Sequence, residues 1–257
     1  MRVAYVISLA SVCALASHTA AQNIGYYTDL NEFVTDPAAG IIANGATPIQ
    51  ILDIDTFDFN TIDMLIVNES SNGPPSADMT AALGAIDAWV QGGGLFVVHD
   101  RFVSNGGLEN NPFFIGAPGM LAMRDFTDDA NIDILDGSTK VTNGIGGVLD
   151  NASLDGGTSS SHGFVDGTTL PGSALAILSR TNANDVVSLS YLYGDGAVFY
   201  STIPLDFYLA GNGPNPPQGN MADIYYPNVI DYMLTIPAPA TLGLLGIAGI
   251  AAARRRR

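Results

Sequence analysis

The chain has 257 residues, enough for one large domain with a sizeable core. Hydrophobic residues make up 47% and charged residues 13%, which excludes a disordered chain or a coiled coil. The net charge is −16, and Arg2 and Arg254 to Arg257 stand at the ends, so only Arg101, Arg124, Lys140 and Arg180 face all 25 acids of the body; such a surface repels phosphate backbones and excludes nucleic acid as a partner.

Residues 1–21 read as a secretory signal peptide. Arg2 supplies the positive start, Val3 to Ala16 the apolar stretch, and Thr19, Ala20 and Ala21 a small-residue cleavage site. The single cysteine, Cys13, lies inside that leader. An exported, processed chain therefore has no thiol, which excludes a disulfide, a cysteine nucleophile and a thiolate metal site. Export machinery is the first implied partner.

In the body, residues 22–235, Ile24 to Thr28 is a first strand. Asp36 caps a short helix with Pro37 at its first position, and Asn44-Gly45 stops it. Pro48 to Asp53 and Ile62 to Asn68 follow as strands, the second nearly continuous in apolar residues, as a buried parallel strand is. Ser76 caps the clearest helix, with Met79, Ala82, Leu83, Ile86, Trp89 and Val90 on one face. Gly92 to Gly94 end it as a turn of the wrong polarity for a phosphate cradle, and Leu95 to His99 resumes as a strand.

Residues 102–170 are rich in Gly, Asn, Asp and Ser and are expected to form irregular insertions with short strands. Ala174 to Leu178 is again a strand. Val186 to Tyr193 and Ala197 to Ile203 flank Gly194-Asp195-Gly196, a hairpin signal. A last helix uses Ile224, Val229, Ile230, Met233 and Leu234. These alternations predict an α/β fold: a flavodoxin-like, mostly parallel sheet with helices on both faces, a C-terminal hairpin and irregular insertions.

Two stretches carry a resemblance for the body: Ile62 to Val67 with the helix and Trp89 to His99 after it, and Tyr193 to Thr202 followed by a terminal helix. They resemble the class I glutamine amidotransferase-like superfamily, in particular its trehalose-utilisation-type branch. The resemblance implies the flavodoxin-like fold. It also implies a site on the tight turn after the core strand that ends Val98-His99-Asp100-Arg101, where catalytic members carry a cysteine and this chain has none. His99 stands near that turn, as in the trehalose-utilisation-type branch.

Ligands in open α/β sheets sit beyond the carboxyl ends of the strands. On that rule His99 is the leading candidate for a general base or ligand contact, with Asp100 or Glu69 to orient it. The competing reading satisfies His99 with a backbone carbonyl and pairs Arg101 with an acid. His162 follows three serines, Ser159 to Ser161, but without a Gly-x-Ser-x-Gly elbow. Two body histidines without an HExxH motif or cysteine pair are a poor zinc set. Calcium fits the composition better: 22 Asp stand against three Glu, and Asp128, Asp129, Asn131 and Asp133 place oxygens close together, though without the glycine and final glutamate of an EF-hand loop. A solvated acidic surface accounts for the same residues.

Residues 236–257 close the chain with Pro237-Ala238-Pro239, an apolar run from Thr241 to Ala253 and four arginines. The apolar run spans about 20 Å as a helix, short of a hydrocarbon core of about 30 Å; counted from Ile236 it is a marginal transmembrane helix held by its arginines on the cytoplasmic side. The tail resembles the PEP-CTERM sorting signal of Gram-negative bacteria, with Ala238 where the motif has glutamate. That resemblance implies a membrane intermediate and an exosortase-type protease as partner. The functions expected are an exported, surface-directed binding or structural module of the envelope or extracellular matrix, a hydrolase acting on extracellular polysaccharide through His99, Asp100 and Glu69, or a calcium-dependent adhesion module.

Overall fold

The computed structural model describes residues 21–30, 36–157 and 159–236. All but the last residue of the expected leader 1–21, Cys13 included, and all but the first residue of the expected sorting tail 236–257 lie outside them. Among the described residues no helix is long and apolar enough to cross a membrane.

The chain runs β1 (Asn23–Asp29), α1 (Ala38–Ala43), β2 (Thr47–Gln50), β3 (Met64–Glu69), α2 (Ala77–Gln91) and β4 (Leu95–Asp100). Five short strands follow: β5 (Ala122–Arg124), β6 (Asp133–Ile134), β7 (Asn143–Gly144), β8 (Gly147–Val148) and β9 (Gly163–Asp166). Then come β10 (Leu175–Ser179), β11 (Asp185–Tyr193), β12 (Gly196–Ser201), α3 (Leu205–Leu209), α4 (Pro217–Asn220) and α5 (Tyr226–Leu234).

The main sheet has the order β2-β1-β3-β4-β12-β11-β10-β6. Its first five strands are parallel, in the strand order of a flavodoxin-like sheet; the next three join antiparallel. Every residue of β3, β4 and β12 is buried, because both faces are covered. On one face α2 brings Met79, Ile86 and Val90 against Leu65, Phe96 and Val98. On the other, α1 and α5 bring Ile41, Tyr226, Val229 and Ile230 against Ile66, Val97 and Phe199.

Local signals act where expected. Asp36 Oδ1 accepts from Ala38 N at 3.0 Å, and Ser76 Oγ from Met79 N at 3.0 Å, meeting orphan N–H groups at two helix starts. The hairpin β11–β12 turns on Gly194, whose φ of +58° suits glycine. At Gly196 a Cβ would lie 2.2 Å from the carbonyl oxygens of Gly94 and Val90, so glycine alone lets the hairpin pass under the end of α2.

Two expectations shift in detail. The run predicted as a strand to Asp53 leaves the sheet after Gln50, and Ile51 and Ile54 enter the core as loop residues. The last helix is interrupted: α4 leads through one π turn, Met221–Tyr225, into α5. Tyr225 and Tyr226, next to each other in sequence, are both buried at that junction. The irregular region 102–170 extends the sheet, with β6 on β10 and β9 on β11 carrying β5.

Candidate functional site at the carboxyl ends of the strands

Adjacent parallel strands end in register, Asp29 beside Glu69 beside Asp100, all on the α2 face and all fully buried. Alternation along a strand puts the residue before each of them on the opposite face. His99 and Asn68 are therefore neighbours across β4 and β3 on the α5 face, turned away from Asp100 and Glu69. The sequence brings His99, Asp100 and Glu69 to one edge of the sheet, and the pleat divides them between its two sides.

Asp100 and Glu69 hold the turn after β4. Asp100 Oδ1 accepts from Phe102 N and Val103 N, both at 2.9 Å. Its Oδ2 accepts from Tyr200 Oη at 2.7 Å and Asn111 Nδ2 at 2.5 Å. Glu69 accepts from Ser71 N at 2.8 Å and Phe102 N at 3.0 Å. Burial raises the Asp100 carboxyl above its ordinary range against those hydrogen bonds. Burial, with Asp100 as a neighbour, pushes Glu69 up to about 9, while the two backbone N–H groups pull the other way. The turn they fix carries Val103 at φ +63°, a left-handed conformation that costs a β-branched residue energy. Here a tight turn follows the core strand, as expected, with valine at its strained position.

His99 is 1% exposed, and neither ring nitrogen has a hydrogen-bond partner. Its ring meets Tyr225 and Tyr226 edge-on, at centroid distances of 5.7 and 6.5 Å. Burial pushes its pKa down to about 3, so the imidazole is neutral at physiological pH. Neither the expected carboxylate nor a backbone carbonyl orients it.

A small cleft of about 80 Å³ opens beside these ends, lined by Arg101, Ser159, His162, Pro204 and Phe207. Arg101 Nη1 is paired with the buried Asp206 Oδ2 at 3.0 Å, in the way the sequence anticipated for an acid partner. His162 Nδ1 lies 2.9 Å from the carbonyl oxygen of Arg101. A carbonyl only accepts, so Nδ1 carries the proton and Nε2 is the ring's acceptor. Burial first, then the charges of Arg101, Arg124 and Arg180, push this imidazole down to about 3.

Of those three arginines, Arg101 was expected to pair with an acid, while Arg124 and Arg180 are the residues that sequence reasoning passed over. Arg124 Nη1 donates to the carbonyls of Arg101 and Phe102 at 2.6 and 2.7 Å. Arg180, fully buried, holds Asp125 and Ser161. The available signal was scarcity: with four cations in so acidic a body, three that converge on one place mark it.

The serines before His162 are engaged elsewhere. Ser159 Oγ donates to Asp129 Oδ2 at 2.8 Å, Ser160 Oγ to the Leu154 carbonyl at 2.7 Å, and Ser161 Oγ accepts from Arg180 Nε at 3.0 Å. The acidic run disperses too. Asp129 takes Ser159, Asn131 donates to Asp128, and Asp133 opens β6. Among the described residues no three His, Cys, Asp or Glu are grouped so as to hold a metal ion.

No family model matches the chain, and no curated protein matches it in sequence. Solved structures share its fold. Cytoplasmic protein STM3548 from Salmonella typhimurium is similar at a TM-score of 0.53 and 10% identity, over 83% of this chain and 98% of that one. Cytoplasmic protein STM1381 from Salmonella typhimurium LT2 is similar at a TM-score of 0.54 and 10% identity, over 82% of this chain and 99% of that one. A ThuA-like protein from Bacteroides uniformis is similar at 0.48 and 11% identity, over 85% and 93%. At such identities the likeness is one of fold.

Proposed function

We propose that this chain is an exported, surface-directed bacterial binding module that seats a small polar ligand in the cleft beyond the ends of β4 and β12. The observation that carries the reading is the cleft itself: a charged Arg101, a neutral His162 and the apolar walls of Pro204 and Phe207 in one small concavity. A few placed polar groups against an apolar wall are the usual make-up of a ligand site. Export and surface delivery rest on the leader pattern of residues 1–21 and the sorting-signal pattern of 236–257. The amidotransferase-like resemblance supports a strand-end site without supplying a thiol.

Binding is favoured over hydrolysis by proton chemistry. A general base works best with a pKa near the operating pH. Both body histidines are pushed down to about 3, and Glu69, raised to about 9, has both oxygens occupied by backbone N–H groups.

The test is a thermal-shift and calorimetric screen of the full chain against small sugars, polyols, carboxylates and calcium. A ligand at about one hundred times its Kd stabilises by about 2.7 kcal/mol. The expected result is a shift with an organic probe that Phe207→Ala and His162→Phe abolish, without turnover of the probe. A shift with calcium alone would replace this reading with adhesion, and turnover lost in His162→Phe would replace it with hydrolysis.

A further inference from the structure

Beside the strand-end cleft two guanidinium groups meet at one neutral oxygen. Asn72 Oδ1 accepts from Arg124 Nη2 at 2.6 Å and from Arg101 Nε at 3.4 Å. Arg101, which lines the cleft, is answered by the carboxylate of Asp206. Arg124 pairs with no carboxylate among the described residues. Its Nη1 is spent on the carbonyls of Arg101 and Phe102, and its guanidinium lies over the Phe126 ring at 5.0 Å. The nearest acids do not reach it: Asp100 and Glu69 turn their oxygens to the backbone after β4, to Ser71, Asn111 and Tyr200. Burial also keeps the proton on Glu69 up to about pH 9.

Like charges side by side repel, and Arg101 is one of the groups that disfavour the charged form of Arg124. An arginine without a carboxylate, in a chain of 25 acids, is a standing place for an anion. The wall that joins it to the cleft supplies a second kind of contact. The Arg101 carbonyl accepts from both Arg124 Nη1 and His162 Nδ1, and Phe126, half exposed, packs edge-on against His162 at a centroid distance of 5.2 Å. Arg124, Phe126 and His162 are thus one surface. His162 lines the cleft, and its acceptor Nε2 makes no hydrogen bond among the described residues.

We propose that the cleft takes a small hydroxycarboxylate, a 2-hydroxy acid, whose carboxylate lies against the guanidinium groups of Arg124 and Arg101 and whose hydroxyl donates to His162 Nε2. This deepens, and rests on, the reading of the cleft as a ligand seat. Charge and proton inventory select the class. One cation without a counter-ion calls for one negative charge, and a guanidinium is matched best by a planar carboxylate. A bare acceptor calls for a donor, which a carboxylate lacks and a hydroxyl has. Because Arg124 and His162 share one carbonyl oxygen, the two groups of the ligand are close neighbours on its carbon chain. A dianion would bring a second charge against Asp206, and a neutral polyol would leave Arg124 unanswered. Size agrees: a water needs about 10–15 Å³ of such space, so about 80 Å³ seats a molecule of a few heavy atoms, with Pro204 and Phe207 against its carbon.

The experiment is calorimetric titration of the full chain with glycolate and with D- and L-lactate. Propionate serves as the acid without the hydroxyl, propane-1,2-diol as the hydroxyls without the charge, and malate and inorganic phosphate as the more highly charged anions. The expected result is binding of at least one 2-hydroxy acid, about tenfold tighter than propionate and than the diol, as a hydrogen bond to an ion and one to a neutral acceptor together allow. Added NaCl weakens it. Arg124→Gln lowers affinity for lactate and propionate alike by about tenfold, and Arg124→Lys, which keeps the charge, restores part of the loss. His162→Phe brings the ratio of lactate to propionate affinity toward one, an effect on discrimination that general loosening of the cleft does not produce. The proposal is overturned if the diol binds as tightly as lactate, if malate or phosphate binds more tightly, or if Arg124→Gln and His162→Phe both fold and bind lactate within twofold of the parent. Should either variant fail to fold, the comparison of probes on the parent chain decides. Binding of the diol that Phe207→Ala abolishes would sink this ligand class and leave the cleft standing. Binding of no probe would remove both.

Discussion

At the scale of single residues, proton equilibria distinguish the two sides of the sheet. Unfolded, a histidine takes up its proton near pH 6.5; folded, His99 and His162 wait until about 3. Between those values the unfolded chain binds more protons, so stability falls as pH drops through the window. Glu69 acts in the opposite sense. The folded chain keeps its proton to about 9 while the unfolded chain releases it near 4.5, so its contribution is full below 4.5 and is lost as pH rises toward 9. Melting temperatures from pH 3 to 9 are therefore expected to fall at both ends. His99→Phe flattens the acid limb, and Glu69→Gln flattens the alkaline one. An acid limb that His99→Phe leaves unchanged would mean that this ring is protonated in the fold.

At the scale of elements, caps and close approaches decide where the chain turns. Ser76 closes the start of α2 with a bond from Met79 N, and Ser76→Ala is expected to cost about 1 kcal/mol, read from urea midpoints. The last helix shows what periodicity misses. An apolar pattern from Ile224 to Leu234 describes a helical face, but it does not encode the π turn at Met221–Tyr225. That turn is a response to packing: it belongs to the junction that buries both Tyr225 and Tyr226, with Tyr225 Oη beside Ser188 and Ser201 and Tyr226 Oη donating to the Pro37 carbonyl. The partners lie far away in sequence, so no local signal could announce it.

At the scale of the whole molecule, the charge imbalance sets the response to salt. Twenty-five acids against four body cations repel one another over the surface, and added salt screens that repulsion. The ion pairs of Arg101 and Arg180 are held by buried guanidinium groups and are screened less. Raising NaCl from 0.05 to about 0.5 M, well beyond one Debye length of screening, is expected to raise the melting temperature. A fall would show that exposed ion pairs outweigh the general repulsion.

The sequence by itself determined the parallel strands, the capped helix α2 and the hairpin, because hydrophobic period, caps and turn residues are local physics. It also shows that residues 22–257 contain no cysteine. It brought His99, Asp100 and Glu69 to one sheet edge, which register alone predicts. Only the tertiary structure decided on which side each stands and what it meets. The pleat alternates faces at every residue, so two neighbours in sequence enter two different cores. Asp100 and Glu69 were absorbed into the turn after β4, and His99 was set beside Asn68 without a partner. The convergence of Arg101, Arg124 and Arg180 around His162 was likewise decided in three dimensions, by loops whose closure depends on contacts as distant as that of Arg101 with Asp206, 105 residues apart.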